Sequence, residues 1–332
     1  MTFCFRSICA AATLAVGLAV PAASATAQMA MNLGWATPLE SSNGVFAEAF
    51  AEKVAEYTDN AIEVRLRPSA QIATEDDAVK ALQLGTVDGY LVSQNNISPH
   101  FSLMDVFVLP YVFRSSEHAL NVVDGEIGEY IKEQLYERAG IHLLSFNNMD
   151  ARDLYNTRRP INTFEDFGGL KYRVPLNQVM IETFRAFGAE PVPMAWSEVP
   201  TALQTGTIDG ADNGTSVILD MKFYEFAEHL AVLEHFIGFT PLLVSDRFMS
   251  RLSDEQAEQV RRAALDAQAH QREVMSARLD GIRNELAANG MAITYPERGP
   301  FIEAAQGVQD HFAAEQGEEF QNLLQRIRET EG

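Results

Sequence analysis

Runs of apolar residues with two different spacings divide the chain into short strands and amphipathic helices. Residues 61–67 alternate apolar and polar side chains, as a half-buried strand does, whereas residues 44–57 place apolar side chains three or four positions apart, as a helix does. The same signals predict strands at 31–36, 61–67, 87–92, 171–175 and 190–194, and helices at 44–57, 75–84, 178–187 and 197–205. Strands that alternate with helices predict an α/β fold.

Two longer helical patterns follow in the C-terminal third. The first, at 253–289, starts with the capping pair Ser253 and Gln256 and has Gly290 just past its end. A helix of that length extends about 55 Å at 1.5 Å per residue, which exceeds the diameter of one small lobe. We therefore expect it to run across two lobes. The second pattern, at 299–328, predicts one further helix that closes the chain.

A nine-residue motif occurs twice, 121 positions apart. ALQLGTVDG occupies residues 81–89 and ALQTGTIDG occupies residues 202–210, with seven of nine positions identical. Each copy is typical of a helix end, a glycine cap and entry into a strand. In the second copy we expect the strand to start at Thr207 and to turn at Gly210. The repetition favours two similar lobes, although such junctions also converge by chance in α/β proteins.

The first 27 residues have the pattern of a secretory signal peptide. Arg6 is their only charged residue, an apolar run fills positions 8–20, and Ala-Thr-Ala at 25–27 fits a cleavage site. Cys4 and Cys9, the only cysteines, fall within this segment. The sequence thus predicts export and a mature chain without disulfide, thiol nucleophile or thiolate metal site.

The length and charge of the remaining 305 residues limit the classes of function that are expected. That length is more than one compact core usually holds, so about two domains are expected. Removing Arg6 with the signal segment leaves 24 basic against 46 acidic residues, a net charge of −22. Nucleic-acid binding needs a basic footprint and is excluded. No later run is apolar enough to span a membrane, so the mature chain is not expected to be membrane-embedded.

Motifs of the common catalytic sites are missing from the sequence. There is no nucleophile elbow, no P-loop, no dinucleotide-binding glycine motif and no zinc-binding His-Glu-x-x-His. The histidines do not show metal-ligand spacing; they are His100, His118, His142, His229, His235, His270 and His311. We therefore expect no metal, no cofactor and no enzymatic activity. A two-lobed exported protein of this kind is typical of a binding protein whose ligand lies between the lobes.

The sequence resembles a known family in long motifs. GLKYRVPLNQVMIETFRAFGAEPVPMAWSEVPTALQTGTIDGADN, at 169–213, resembles the solute-binding proteins of tripartite ATP-independent periplasmic (TRAP) transporters of the DctP type. PSAQIATEDDAVKALQLGTVDG, at 68–89, is similar to their N-lobe segment. The departures are Ala70 for Gly, Ile72 and Ala73 for Leu-Gly, and Pro200 for Tyr. None falls on the family's ligand-pairing arginine, and the three N-lobe changes would alter that wall of the expected cleft.

The resemblance implies a two-lobed periplasmic-binding-protein-like fold of type II, with exchanged segments joined by a hinge and the long helix. Residues 28–150 and 239–278 would form lobe I, and residues 151–238 and 279–332 would form lobe II. One organic anion would be held in the cleft between them.

The resemblance also implies the ligand-binding residues. Arg173 falls on the family's carboxylate-binding arginine, where a planar guanidinium can donate two parallel hydrogen bonds. Asn213 would support the same carboxylate, Arg152 would be a second basic contact, and Trp196 would stack on the ligand. Further contacts are expected from Trp35, Glu75, Ser93, Gln94, Asn95 and Asn177.

The implied function is a periplasmic substrate-binding subunit in a Gram-negative bacterium. It would capture a small organic acid and deliver it to the small and large subunits of a TRAP membrane permease. Polar residues at strand ends favour a hydroxylated sugar acid over a dicarboxylate, while Trp35 and Trp196 would also suit an aromatic acid or an ectoine-like zwitterion. A periplasmic hydrolase or isomerase, and a protein that presents its ligand to a membrane sensor, remain alternatives.

Overall fold

The computed structural model describes residues 28–332, apart from the side chain of Asp280. The predicted signal peptide, with both cysteines, lies outside the described residues. The strands are β1 Met29–Gly34, β2 Ile62–Arg67, β3 Gly89–Leu91, β4 Ile141–Asn156, β5 Lys171–Val174, β6 Glu190–Pro193, β7 Gly210–Gly214, β8 His229–Ser245 and β9 Ala292–Thr294. The N-terminal helices are α1 Ser42–Tyr57, α2 Glu75–Gln83, α3 Gln94–Ile97, α4 Ser116–Val123 and α5 Glu126–Ala139. The later helices are α6 Gln178–Ala186, α7 Val199–Thr205, α8 Thr215–Asp220, α9 Asp246–Met249, α10 Asp254–Ala288, α11 Gly299–Gln316 and α12 Glu318–Glu329.

One mixed sheet runs through the described chain. Its strand order is β2-β1-β3-β8-β4-β7-β5-β6, and β9 pairs with β8. The long strands β4 and β8 are antiparallel and lie at the centre. β3 pairs with one end of β8, at Gly89 and Val244, while β7 pairs with the other end of the central pair, at Asn213 and Asp153. The two lobes are therefore built on opposite ends of a shared pair of strands.

The two-lobed α/β fold predicted from the sequence is confirmed, but the hydrophobic pattern does not predict β4 or β8. Nearly every residue of both strands is buried or half-buried, so the alternation of a half-exposed strand is absent. Their register shifts at three places, including the stretch between Asn147 and Asp150. Asn148 has a positive φ of 49° there. The shift between Asn147 and Asp150 lies between the part of the central pair that carries β3 and the part that carries β7.

The long helix α10 joins the lobes, as predicted. Ser253 and Gln256 form its capping box. Its N-terminal half packs against α1, in a core with β1 and β2, and its C-terminal half packs against α8 and β9. No helix among residues 28–332 is long and apolar enough to cross a membrane.

The two copies of the repeated motif form the same joint. Gly85 and Gly206 end their helices in the left-handed conformation, with φ of 65° and 69°. Asp88 then accepts a hydrogen bond from the backbone N–H of Asn32 in β1, and Asp209 accepts one from that of Lys171 in β5, both at 2.9 Å. In each copy, the aspartate thus connects the segment after the helix to the neighbouring parallel strand of the same lobe by a hydrogen bond.

Two predicted details of the C-terminal half are wrong. The strand after the second copy does not turn at Gly210 but begins there, because the chain pairs with β4 and β5 only from this residue onward. The terminal helical pattern is two helices, since Gly317 has a φ of 87° and interrupts it. α11 packs against α6, whereas α12 packs against α5, where Tyr130 donates to Glu319 at 2.6 Å. The lobe boundaries stay a prediction.

Candidate functional site

The loops that follow the parallel strands of both lobes surround a cavity. Ligand sites of α/β sheets lie at this carboxyl edge of the strands. Eight of the ten predicted ligand-binding residues line the cavity: Glu75, Ser93, Gln94, Asn95, Arg152, Arg173, Trp196 and Asn213. Residues from both halves of the chain are therefore brought together around one space.

Arg173 brings a buried positive charge to the cavity. Its residue surface is 4% exposed, and its Nε donates to the backbone oxygen of Met194 at 3.1 Å. Its Cζ lies 5.7 Å from the ring centroid of Trp196, within range of a cation–π interaction. Among residues 28–332, no carboxylate oxygen lies within 4.0 Å of its guanidinium nitrogens. Burial lowers the pKa of Arg173, because a buried charge is less well solvated than an exposed one.

Arg152 also lines the cavity, but it already has a carboxylate partner. Its Nε and Nη2 donate to Oδ2 and the backbone oxygen of Asp212, both at 2.6 Å. His235 Nε2 lies 3.3 Å from the same Oδ2 and is fully buried. Burial alone would raise the pKa of Asp212, but Arg152 and His235 outweigh it and hold that pKa below its usual value. Burial lowers the pKa of His235, which favours the neutral imidazole. Asp212 and His235 were not predicted as site residues.

Asn213 and Trp196 form the wall beside Arg173. Asn213 lies in β7, and its Oδ1 accepts a hydrogen bond from Tyr155 at 3.1 Å, which leaves its amide nitrogen free to donate. Trp196 packs edge-on against Phe223, with 5.6 Å between ring centroids. Both side chains are thus held in place by aromatic neighbours, as a site on rigid elements requires.

Carboxyl groups face the cavity as well. Glu75, at the start of α2, accepts a hydrogen bond from the backbone N–H of Ser93 at 2.8 Å. Asp150, at the irregular part of β4, accepts from Ser216 N–H at 2.8 Å. Burial raises the pKa of both Glu75 and Asp150, so their ionised forms are disfavoured.

The side chains of Gln94 and Asn95 line the cavity, but they make hydrogen bonds to other groups of the protein. Gln94 donates to the Ile237 carbonyl at 3.0 Å and accepts from Phe239 N–H at 2.7 Å. Asn95 donates to the side chain of Asn96 at 2.9 Å. Gln94 thereby joins this wall of the cavity to β8.

Two residues predicted as ligand contacts do not line the cavity. Trp35 is fully buried in the core between β1 and α10, and its indole N–H donates to the Pro38 carbonyl at 3.2 Å. Asn177 is 2% exposed and caps α6 through a hydrogen bond from Met180 N–H at 3.0 Å. A tryptophan after a strand is common in cores, and an asparagine before a helix is commonly a cap, so local sequence did not separate these roles.

Further polar residues line the cavity without having been predicted: Thr37, Asn43, Asn96, Asn148, Asp150 and Thr240. Thr37 and Asn43 follow β1, so the end of that strand was a usable signal. Asn148, Asp150 and Thr240 belong to β4 and β8, the strands that the hydrophobic pattern does not predict.

A cavity between two lobes, lined by polar groups and one unpaired arginine, defines this protein as a solute-binding protein. Comparisons with known proteins agree. Residues 33–316 match DctP, the bacterial extracellular solute-binding protein family 7. A solute-binding protein of Roseobacter denitrificans is 32% identical over 320 residues, which is 96% of each chain.

Solved structures show the same similarity. The structure of that Roseobacter denitrificans protein with bound L-galactonate matches with a TM-score of 0.85 at 30% identity, covering 90% of this chain and 98% of that one. TRAP periplasmic solute-binding proteins from Polaromonas with D-erythronate and from Chromohalobacter salexigens with D-glucuronate match with TM-scores of 0.88 and 0.87, at 28% and 29% identity. They cover 92% and 91% of this chain and all of those chains. The chain belongs to the DctP family of TRAP transporter solute-binding proteins.

Proposed function

We propose that this protein captures a hydroxylated monocarboxylate, such as a sugar acid, in the cavity between its lobes and delivers it to a TRAP membrane permease. Arg173 is the observation that carries the proposal. A buried guanidinium without a carboxylate partner leaves a strong donor pair unused, and an anionic ligand would supply the missing partner. The free amide nitrogen of Asn213 would donate to the same carboxylate.

The charges around the cavity favour a ligand with a single carboxylate. Arg152 is neutralised by Asp212, so Arg173 is the one uncompensated arginine that lines the cavity. Glu75 and Asp150 would repel a second carboxylate when ionised, and either could accept hydrogen bonds from hydroxyl groups. The ligands bound by the compared proteins, L-galactonate, D-erythronate and D-glucuronate, each combine one carboxylate with several hydroxyls.

Binding would be followed by closure of the lobes and transfer to the permease. The central strands β4 and β8 carry a register shift between Asn147 and Asp150, between the parts that carry β3 and β7, and such an irregular stretch could act as the hinge. The partnership with the small and large permease subunits, and the periplasmic location that it requires, rest on the family alone.

Titration calorimetry with L-galactonate, D-glucuronate, D-erythronate and the dicarboxylate succinate tests the ligand class. We expect one of the three hydroxy acids to bind at one site per chain and succinate to bind more weakly. A ligand at 100 times its Kd should add about 2.7 kcal/mol to the free energy of unfolding and raise the melting temperature. Tighter binding of succinate would overturn the single-carboxylate proposal, and turnover of an acid on incubation would favour an enzyme.

A further inference from the structure

Asn177 lies at the edge of the cleft and has all of its amide groups engaged. It follows β5, and its Oδ1 accepts from Met180 N–H as the cap of α6. That bond fixes the orientation of the amide, so Nδ2 points away from α6. Nδ2 donates to the backbone oxygen of Asn95 at 3.2 Å and to Oδ1 of Asp105 at 3.1 Å. The side chain is therefore a fully satisfied bridge and has no group left for a ligand.

The acceptors of this bridge belong to the other side of the cleft. Asn95 follows β3 and lines the cavity, and Asp105 lies in a short 3-10 helix, Ser102–Phe107. Strands β3 and β5 stand in opposite halves of the sheet, with the central pair between them. Asn177 thus reaches from the half of the chain that carries Arg173 to the half that carries Glu75.

Asp105 depends on neutral donors for its solvation. It is 8% exposed, and among residues 28–332 no arginine, lysine or histidine nitrogen lies within 4.0 Å of it. Gln316, at the end of α11, donates to its other oxygen at 3.2 Å. Loss of the Asn177 donor would leave a buried carboxyl oxygen unpaired, and such a group is costly. Separation of the lobes at this point is therefore opposed by the bridge.

We propose that Asn177 is a positioning residue that ties the two lobes together and shifts the open–closed equilibrium of the cleft towards closure, with or without ligand. Its effect on affinity rests on the proposed function, because a ligand held between the lobes gains from any contact that favours the closed form. The polar atoms of Asn177 do not touch the ligand in this role.

Asn177→Asp tests the bridge with a change of one atom. Aspartate caps a helix as well as asparagine does, so α6 keeps its cap. The donor is lost, however, and a second carboxylate faces Asp105. Combining it with Asp105→Asn restores a hydrogen bond of reversed direction between the two side chains. Asn156→Asp is the matched control, because Asn156 is also buried, but its Oδ1 accepts from the backbone N–H groups of Arg158 and Arg159 in the loop that directly follows β4.

The measurement is the distance between two spin labels, one in each lobe. Gln83→Cys and Gln204→Cys place them at equivalent, exposed positions of the repeated motif, and a chain that begins at Gln28 has no other cysteine. Without ligand, we expect Asn177→Asp to shift the distance distribution towards longer values and the double variant to reverse the shift. With L-galactonate, D-glucuronate or D-erythronate, whichever binds, we expect the Kd to rise about tenfold, mainly through faster dissociation.

Identical ligand-free distance distributions for the wild type and Asn177→Asp would overturn the proposal, even if the melting temperature fell, since the lost hydrogen bonds would then stabilise the fold without affecting the opening of the cleft. A shift of the same size in Asn156→Asp would also overturn it. Failure of the wild type to bind any of the three acids would instead contradict the proposed function, because the ligand-free distances are read independently.

Discussion

Asp153 carries a carboxyl group at the place where β4 and β8 lose register. Its side chain is fully buried, and its Oδ1 accepts from the backbone N–H groups of Leu233 and Glu234 at 3.0 and 3.1 Å. Arg283 of α10 donates to its other oxygen at 3.2 Å. Burial raises the pKa of Asp153 to about 7, because it outweighs the attraction of Arg283.

This raised pKa makes stability depend on pH. The unfolded chain loses the proton of Asp153 near pH 4, while the folded protein retains it to about pH 7, so Asp153 lowers the free energy of unfolding as pH rises across that interval. We expect Asp153→Asn to reduce this loss, measured by urea unfolding at pH 4.5, 6 and 7.5. Asp166→Asn, at a partly exposed carboxyl with a lowered pKa, serves as the control and should leave the dependence over this interval unchanged. If the free energy of unfolding of Asp153→Asn depended on pH as strongly as that of the wild type, the raised pKa of Asp153 would be contradicted.

Residues of the site could be predicted from the sequence where they lie within a motif that resembles the family. Arg173 and Asn213 lie in the long run that resembles the family, and both line the cavity. Asn177 lies in the same run but bridges the lobes, because its neighbours across the cleft come from a distant part of the chain. The contact of Asp212 with Arg152 and with His235 could not be predicted, since it arises only when β7 and β8 pair with β4 on either side.

At the scale of elements, the two copies of the repeated motif allow the same glycine-to-alanine substitution to be compared at two equivalent helix ends. Gly85 and Gly206 both have a positive φ, which costs an alanine roughly 1–2 kcal/mol. A Cβ at Gly206 would meet nothing within 4 Å, whereas one at Gly85 would lie 2.5 Å from Cδ of Arg247. We expect Gly206→Ala to lower the free energy of unfolding by about that backbone amount and Gly85→Ala to lower it by more. Urea unfolding measures both variants, and equal losses would contradict the packing difference.

Local signals predicted the helices and short strands that are amphipathic. The helix at 253–289 is found within two residues of its predicted ends because its cap and its spacing are both encoded locally. β4 and β8 were missed because burial on both sides removes the alternation on which the prediction depends. The shared centre of the fold is thus the part least visible in the sequence.

For the whole molecule, the shared strands predict that both lobes unfold together. β4 and β8 cross from one lobe to the other, and one hydrophobic core contains residues from both. The chain has two tryptophans, Trp35 in the core with α1 and Trp196 beside the cavity. Each single-tryptophan variant, Trp35→Phe or Trp196→Phe, leaves a fluorescence probe in one lobe. We expect each variant's fluorescence transition in urea to coincide with its own transition by circular dichroism. Separate midpoints within one variant would show that the lobes unfold independently.

The binding of one anion by Arg173 is the central claim for the molecule, and calorimetry of Arg173→Met tests it most directly. With the tightest of the three hydroxy acids, we expect the Kd to rise about 100-fold or more, because a buried charge-assisted pair is lost. The Kd of Arg173→Lys should lie between those of the wild type and Arg173→Met. Arg262→Met changes an exposed arginine of α10, and its Kd should equal that of the wild type. The ligand-free Arg173→Met variant should melt no lower than the wild type, since it loses an uncompensated buried charge. Wild-type affinity in Arg173→Met would contradict the account.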